Sequence, residues 1–384
     1  MEVLQTMSIL RKASAGLLCT AMTLSLASCS LGGADTTYGA IIDGHKIPAG
    51  VFISMQMNAY SEAKNYTDAS SAAEEAVTTT ASADAATTEA TTTTPFSDKV
   101  IEGKSVRDWI NDEATVEMQK YVAIENKFDE LGLGFAENEP EKVNIYIESL
   151  WEYYGTMYEE MGISQDSLNL VTLNSEKKEL IFNHIYGADG EKAVSEADVK
   201  KYLSDNNFRI NYIEIELKDG EGNLLKSEGK EEMNAKAEEY IERAKNGEDF
   251  NAILKEYNDS LNTSTASTDD TTAVETPIAE APDNTMIVTK EGTFPDANIV
   301  TKLFDGSVAA GDYFIVESAN SEKLYVVQCL DLFADETYYT DNESYVRHQL
   351  KDEEFEAEIE SWIVGQTVER NEAAYKRYKY EKFE

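Results

Sequence analysis

Two low-complexity stretches limit the size of any folded unit in this chain of 384 residues. Residues 67–97 are almost entirely Ala, Thr, Ser and acidic residues, and residues 259–284 are rich in Thr, Asp and Ala; neither stretch contains Lys or Arg. Such compositions bury too little apolar surface to offset the entropy that is lost on ordering. We therefore predict two disordered segments, which divide the chain into three ordered pieces.

The amino terminus has the pattern of an export signal. A cationic start at residues 11–12 precedes an apolar run at residues 13–27, which is too short to span a membrane. The run ends in Leu-Ala-Ser-Cys, which resembles the bacterial lipobox before a diacylated cysteine, and two acyl chains give stable anchoring. We expect residues 1–28 to be a removed signal peptide, and Cys29 to anchor the protein by lipid to the extracytoplasmic face of the bacterial cell membrane. The alternative is an ordinary secretory signal with an incidental cysteine.

A formal net charge of −40 restricts the classes of partner. Nucleic acid is excluded, because its binding depends on clustered Lys and Arg. No glycine-rich phosphate loop occurs, and His45, His184 and His348 have no Cys or carboxylate at ligand spacing. We therefore predict no metal site and no cofactor. The negative charge favours basic partners or diffusely bound divalent cations, or it serves solubility alone.

The first ordered piece has strong helix signals. An extended segment at residues 38–48 leads into an apolar helix at residues 48–65. Ser105 is placed to cap a helix that reaches about Gly132, and Pro140 begins another that ends at Gly162. The spacing predicts that one stripe of this last helix is buried, formed by Val143, Ile147, Leu150, Tyr154, Met157 and Met161.

The second ordered piece mixes helices with a few strands. Ser195 is placed to cap a helix through Asp198. Residues 212–217 alternate between apolar and polar side chains, as in a strand with one buried face. The pattern then predicts two helices on either side of Gly247, a short helix at residues 297–304, and a hairpin of residues 313–317 with residues 324–330.

The third piece is predicted to be one long helix at the end of the chain. Its apolar stripe, which includes Phe355, Ile359 and Trp362, needs a surface to pack against. The helices of the first piece provide the simplest one. We therefore predict an α+β protein in which a helical lobe is built from both chain ends, residues 38–190 and 336–384, with the strand-containing residues 191–333 inserted between them.

Several segments follow an order that is known from one family of exported proteins. They are residues 42–52, 194–202, 246–250 with 255–257, and 311–317 with the strand through Val327. Their order resembles the PrsA-like and SurA-like foldases, in which a helical chaperone lobe surrounds a parvulin-type peptidyl-prolyl isomerase domain. The resemblance implies that the inserted residues 191–333 form a parvulin-like α/β domain, and that unfolded or newly secreted proteins are the partners.

The sequence departs from this family at the positions that carry catalysis. Active parvulins have one histidine in the first strand and one in the last, and Tyr212 and Tyr325 stand at those positions here. The resemblance leaves Asp259 as the only polar candidate near the family's central Asp or Cys. Isomerisation needs only a pocket that favours the twisted amide. Two hypotheses follow: the domain has lost efficient catalysis, or the tyrosine pair still binds a proline ring.

One predicted helix carries more aromatic side chains than a core requires. Tyr146, Trp151, Tyr153, Tyr154 and Tyr158 cover nearly every side of it. One face belongs to the core, and the surplus, Tyr146 and Tyr153 above all, suits a surface that binds unfolded segments. We therefore name Tyr146, Tyr153, Trp151 and Tyr158 as candidate client-binding residues.

Three functional hypotheses remain open from the sequence. The first is a membrane-anchored extracytoplasmic chaperone that binds newly exported unfolded proteins, with a parvulin-like domain that lacks efficient isomerase activity. The second is an active peptidyl-prolyl cis-trans isomerase. The third is a non-enzymatic surface lipoprotein that binds one dedicated partner.

Overall fold

A computed structural model describes residues 34–79, 94–265 and 283–383. The predicted signal peptide, Cys29 and parts of both low-complexity stretches lie outside these residues. The chain divides into two compact units: the first comprises residues up to 181 together with residues from 356 onward, and the second comprises residues 182–355. Within the described residues, no helix combines the length and the apolar character that crossing a membrane requires.

The described residues form helices and short strands. The helices are α1 Ala49–Thr79, α2 Val106–Glu130, α3 Glu139–Met161, α4 Gln165–Tyr186, α5 Glu196–Asn206, α6 Ser227–Lys245, α7 Phe250–Thr265, α8 Ala297–Phe304, α9 Glu336–Trp362 and α10 Glu372–Arg377. The strands are β1 Tyr38–Ile42, β2 His45–Pro48, β3 Val100–Ile101, β4 Lys104–Ser105, β5 Asn207–Glu216, β6 Met286–Thr289, β7 Tyr313–Glu317, β8 Lys323–Leu330 and β9 Val368–Arg370. Single 3₁₀ turns lie at Phe96–Asp98 and Tyr380–Phe383. All sheets are antiparallel, and the predicted α+β class is confirmed.

Strands from both ends of the chain share one sheet in the first unit. The order is β2-β1-β9, and Ile42 of β1 lies opposite Val368 of β9. Phe52 of α1 packs against Tyr375 of α10, with ring centroids 4.4 Å apart. The core beneath this sheet also takes Met118 from α2. Residues near position 370 are therefore part of the same core as residues near position 40.

The helix boundaries in both units follow local signals that the sequence makes visible. Ser105 Oγ accepts a hydrogen bond from Asp108 N at 3.1 Å, and Ser195 Oγ accepts one from Asp198 N at 3.1 Å. Gly162 ends α3 with φ +96°, a left-handed conformation that glycine adopts without steric cost. These three predicted helix boundaries are confirmed.

Two helices run further than their patterns led us to expect. Helix α1 continues from Asn65 to Thr79, into the stretch that we expected to be disordered, and α7 likewise continues to Thr265. Residues 69–77 are rich in Ala and Glu, which have high helix propensity. Adding residues to a formed helix costs far less free energy than nucleating a new helix. A helix whose first turns are packed therefore extends into sequence that would not form a helix by itself.

The expected single helix over residues 336–384 ends early. Helix α9 stops at Trp362, and Gly365 adopts a left-handed φ of +87° before the chain enters β9. The backbone groups of residues 368–370 then pair with β1, which offers them hydrogen bonds at a sheet edge. Pairing with a strand more than 300 residues away therefore replaces the local helical preference.

The second unit is built on a four-stranded sheet with helices on both faces. Its strand order is β6-β5-β8-β7. Side chains at Ile213, Ile215 and Val326 face α6 and α7, and the alternate positions, such as Ile210 and Val327, face α8. The predicted strand and hairpin are confirmed. Strand β6 was not predicted, although its residues 286–288 are apolar.

Candidate client-binding surface and tyrosine pair

Helix α3 of the first unit positions the aromatic residues. Pro140 occupies its first turn, where the missing N–H costs nothing, and Gly162 ends it. Val143 and Ile147 are buried against Ile53, Ile163 and Leu168. The core contacts fix which side of α3 faces inward.

The outward side of α3 exposes five apolar or aromatic side chains. Tyr153 is 77% exposed and Tyr146 is 59% exposed. Their separation of seven residues puts them on the same side of the helix, and Met157 lies one turn beyond Tyr153. Ile145 and Tyr154 lie at the two opposite edges of this side, because they are nine residues apart, and the ring centroids of Tyr153 and Tyr154 are 6.5 Å apart. We call the following set the aromatic face of α3: Ile145, Tyr146, Tyr153, Tyr154 and Met157.

The other two predicted client-binding residues lie closer to the core. The rings of Trp151 and Tyr158 stack with centroids 6.1 Å apart and an interplanar angle of 11°. Both rings are half-buried against the core that contains Val143 and Ile147. Of the four predicted residues, the structure therefore exposes Tyr146 and Tyr153, whereas Trp151 and Tyr158 pack between helix α3 and the core.

The buried stripe of α3 in the structure differs from the stripe that the sequence predicts. The prediction that Tyr154 and Met157 are buried is wrong, since both are exposed. Trp151 and Tyr158 replace them, because these two rings continue the line of Val143 and Ile147. The sequence signal was present: residues 143, 147, 151 and 158 also recur at helical spacing.

Carboxylates surround the aromatic face. Helix α3 carries six Glu residues and a single cation, Lys142. Glu148 accepts a hydrogen bond from Asn144 at 2.8 Å, and Glu139 pairs with Lys142 at 3.3 Å. The combination of exposed rings and excess negative charge favours segments that are both apolar and basic.

The two tyrosines that stand at the parvulin histidine positions meet in the second unit. Tyr212 of β5 and Tyr325 of β8 lie on the sheet face that packs against α8, with ring centroids 5.8 Å apart at 69°. Tyr325 is only 4% exposed, and Tyr212 is half-buried. Glu214 lies beside both rings, and its Oε1 accepts a hydrogen bond from Lys323 Nζ at 2.6 Å.

Both tyrosines stay protonated at neutral pH. Burial, followed by the negative charge of Glu214, raises the pKa of Tyr325 well above its usual range. Burial and then Glu214 also raise the pKa of Tyr212. The pair can pack and hydrogen-bond, but neither hydroxyl acts as a base near neutral pH.

Asp259, the third candidate catalytic residue, lies in a helix on the other side of the sheet from the two tyrosines. It is an exposed residue of α7, and its Oδ2 accepts a hydrogen bond from Lys255 Nζ at 2.7 Å. Helix α7 packs on the sheet face opposite the tyrosine pair. The structure therefore brings Tyr212 and Tyr325 together but does not bring Asp259 to them.

The described residues contain no group of three or more His, Cys, Asp or Glu that could hold a metal ion. His348 instead pairs with Asp352 at 2.6 Å and stacks on Phe182, with ring centroids 3.9 Å apart. This histidine has a structural environment in the second unit.

The fold and these two sites define the protein as an α+β protein with an exposed aromatic helix and a sheet bearing a tyrosine pair. The chain is similar to PrsA foldase structures from three bacteria. Foldase protein PrsA from Streptococcus pneumoniae str. Canada MDR_19A is 15% identical over 65% of this chain and 80% of that chain, with a TM-score of 0.28. PrsA from Bacillus subtilis is 15% identical over 66% of this chain and 82% of that chain, with a TM-score of 0.25. Foldase protein PrsA from Lactococcus lactis is 12% identical over 73% of this chain and 90% of that chain, with a TM-score of 0.30.

These structures belong to the group that the sequence resembles. No protein-family model matches the chain, and no curated protein matches it.

Proposed function

We propose that this protein is an extracytoplasmic, membrane-anchored chaperone that binds newly exported unfolded proteins through the aromatic face of α3. The observation that carries the proposal is the exposure of Tyr146, Tyr153 and their three apolar neighbours on one helix. Together these side chains expose on the order of 500 Å² of mostly apolar surface. Patches of this size on soluble proteins commonly mark binding sites.

The composition of the face suits clients with no fixed shape. Tyrosine offers a large, stiff contact area with a polar tip, and methionine adapts to irregular partners. The surrounding glutamates favour clients with exposed Lys and Arg. Client binding should therefore combine an apolar contribution that resists salt with an electrostatic one that weakens as salt screens it.

The proposal assigns the inserted parvulin-like domain a role other than efficient catalysis. Tyr325 is almost fully enclosed and contacts Tyr212, which leaves its ring little free surface for contact with a proline side chain. Neither hydroxyl is ionised at neutral pH. The lipid anchor at Cys29 rests on the lipobox-like residues that precede it.

An aggregation assay tests the holding activity. Mature lipoprotein in nanodiscs should slow the aggregation of several unrelated unfolded clients. The double variant Tyr146→Ser, Tyr153→Ser should weaken client affinity by about thirtyfold, because each of the two rings loses a contact worth about 1 kcal/mol. The matched control Tyr66→Ser, Tyr345→Ser removes two rings that are 50% and 59% exposed on other helices, and it should act as the wild type does. Equal loss in both variants, or no protection by the wild type, would contradict the proposal.

A proline-peptide assay separates the chaperone from the isomerase. We expect the peptide to isomerise at its uncatalysed rate in the presence of the wild-type protein, and Tyr212→Ala to leave that rate unchanged. Acceleration by the wild type that Tyr212→Ala or Tyr325→Ala abolishes would establish an active isomerase instead. Protection of one single client, with no response to the others, would favour a lipoprotein with a dedicated partner.

A further inference from the structure

A cavity with charged walls lies in the first unit, where α2 meets residues 370–379. Its volume is about 420 Å³, and beside Tyr375 its lining includes four cations, Arg107, Arg370, Lys376 and Lys379, and three carboxylates, Asp108, Asp112 and Glu372. Tyr375 Oη shares a hydrogen bond with Thr115 Oγ1 at 2.7 Å, which fixes one wall. The sequence alone did not suggest this cavity, because its two walls lie about 260 residues apart.

The cations around this cavity are of two kinds. Arg107 pairs with Glu381, and Arg370 pairs with Asp112 at 2.8 Å. Lys376, Arg377 and Lys379 are exposed, and none of them forms an ion pair with any residue that the structure describes. Residues 376–382 contain four cations and one acid, in a chain whose formal net charge is −40. These exposed cations without an acidic partner are available to an external anion.

The start of the described chain is fixed beside these cations. Arg377 Nη1 donates a hydrogen bond to Thr36 Oγ1 at 2.8 Å, and Tyr378 Oη donates one to Thr36 O at 3.1 Å. Asn371 Nδ2 donates to Asp35 O at 2.8 Å. Five residues lie between Cys29 and Asp35, so the six Cα–Cα steps from one to the other span at most about 20 Å.

We propose that residues 370–382 form a binding surface for the phosphate groups of anionic lipids and hold the first unit against the membrane. The proposal rests on the lipid anchor of the proposed function. The anchor keeps Asp35, which Asn371 contacts, within about 20 Å of the headgroups, and anionic bilayers attract polybasic segments that lie close to them. Lys376 and Lys379, at the cavity, contact the lipid phosphates, while Arg377 holds the start of the tether.

Hydrogen exchange on vesicles tests this surface. The mature lipoprotein, purified with its own acyl chains, is reconstituted into vesicles of phosphatidylcholine alone or of equimolar phosphatidylcholine and phosphatidylglycerol. Backbone amides of residues 371–383 should exchange several-fold more slowly on the phosphatidylglycerol vesicles. High salt should remove this difference, because screening shortens the reach of the charges to about 3 Å at 1 M.

Charge reversal provides the matched comparison. Lys376→Glu with Lys379→Glu should lose the protection, since each cation near an anionic surface contributes about fivefold to binding. Lys255→Glu with Lys302→Glu makes the same change of charge on two lysines of the second unit and should keep the protection. Equal loss in both variants would show a general charge effect and overturn the proposal.

The remaining outcomes separate this proposal from the function on which it rests. Equal exchange on both kinds of vesicle would overturn the lipid-binding surface alone. Protection on phosphatidylcholine vesicles by dissolved glycerol phosphate would reveal a site for free phosphate and would also overturn it. Failure of the protein to remain with any vesicle would refute the lipid anchor, and the proposed surface with it, whereas client holding by the aromatic face would stand.

Discussion

Gly155 allows Trp151 to lie across helix α3. A Cβ atom built on Gly155 would approach the indole Nε1 of Trp151 to 2.8 Å, closer than atoms of this kind pack. The missing side chain therefore leaves room for the stack of Trp151 on Tyr158, which packs against the core that contains Val143 and Ile147. At this residue the packing requirement outweighs the poor helix propensity of glycine.

Replacing Gly155 by Ala tests this packing. We expect Gly155→Ala to lower the free energy of unfolding by about 1 kcal/mol, because overpacking costs about 2 kcal/mol and the gain in helix propensity returns about 1. Urea unfolding followed by tryptophan fluorescence measures it. Thr156→Ala, an exposed change on the same helix, serves as the control. A more stable Gly155→Ala protein would show that the indole moves aside freely.

The buried hydroxyl of Tyr325 makes the second unit sensitive to alkali. Its pKa is higher in the folded protein than its ordinary value of 10.0, first because of burial and then because of Glu214. Folding therefore favours the protonated form, and this contribution is complete below about pH 10 and is lost as the pH rises further. Tyr325→Phe should lose less stability between neutral pH and about pH 11 than the wild type does.

Urea unfolding across this pH range, monitored by hydrogen exchange in residues 323–330, measures the effect. Tyr345→Phe, at an exposed position, should follow the wild-type curve. Identical alkaline losses in the wild type and Tyr325→Phe would place the titrating group elsewhere.

At the scale of elements, the turn between β1 and β2 ties the two chain ends together. Asp43 adopts a left-handed φ of +47°, and its Oδ1 accepts hydrogen bonds from Thr367 N at 2.8 Å and Thr367 Oγ1 at 2.9 Å. The backbone N–H of Asp43 also donates to Thr367 O at 3.0 Å. One turn residue thereby positions β9 beside β1.

Asp43→Ala should weaken this link. The change removes two hydrogen bonds that Asp43 accepts and leaves alanine at a positive φ. Together these two effects should lower the free energy of unfolding by about 2 kcal/mol. Hydrogen exchange in residues 367–370 should rise more than exchange elsewhere in the first unit. Asp98→Ala, at an exposed acidic residue of the 3₁₀ turn, is the control. Unchanged exchange at 367–370 would show that strand pairing alone holds β9.

The elements also show where sequence reasoning succeeds. Caps at Ser105 and Ser195 and the alternation in β5 depend on residues within one turn or strand, so they could be predicted. The end of α9 and the pairing of β9 could not, because the partner strand lies more than 300 residues earlier. The exposure of Tyr154 depends on which of two stripes α3 buries, and that choice is made by neighbouring helices.

At the scale of the whole molecule, the charge is distributed unevenly. Helix α3 presents aromatic rings among glutamates, whereas residues 376–382 gather cations in a chain that is otherwise strongly acidic. We propose that the first feature contacts basic, unfolded clients and that the second contacts anionic lipid. The first surface favours basic partners and the second favours anionic partners, so each surface binds a different class of partner.

Photo-crosslinking from the aromatic face is the most direct test of the proposed chaperone activity. A photoreactive phenylalanine analogue placed at Tyr153 of the mature lipoprotein should crosslink to several unrelated unfolded clients, and native forms of the same clients should compete poorly. The same analogue at Tyr345, which is 59% exposed, should give little crosslinking. Equal crosslinking from both positions, or none from position 153 while aggregation is still suppressed, would contradict our account of how clients bind.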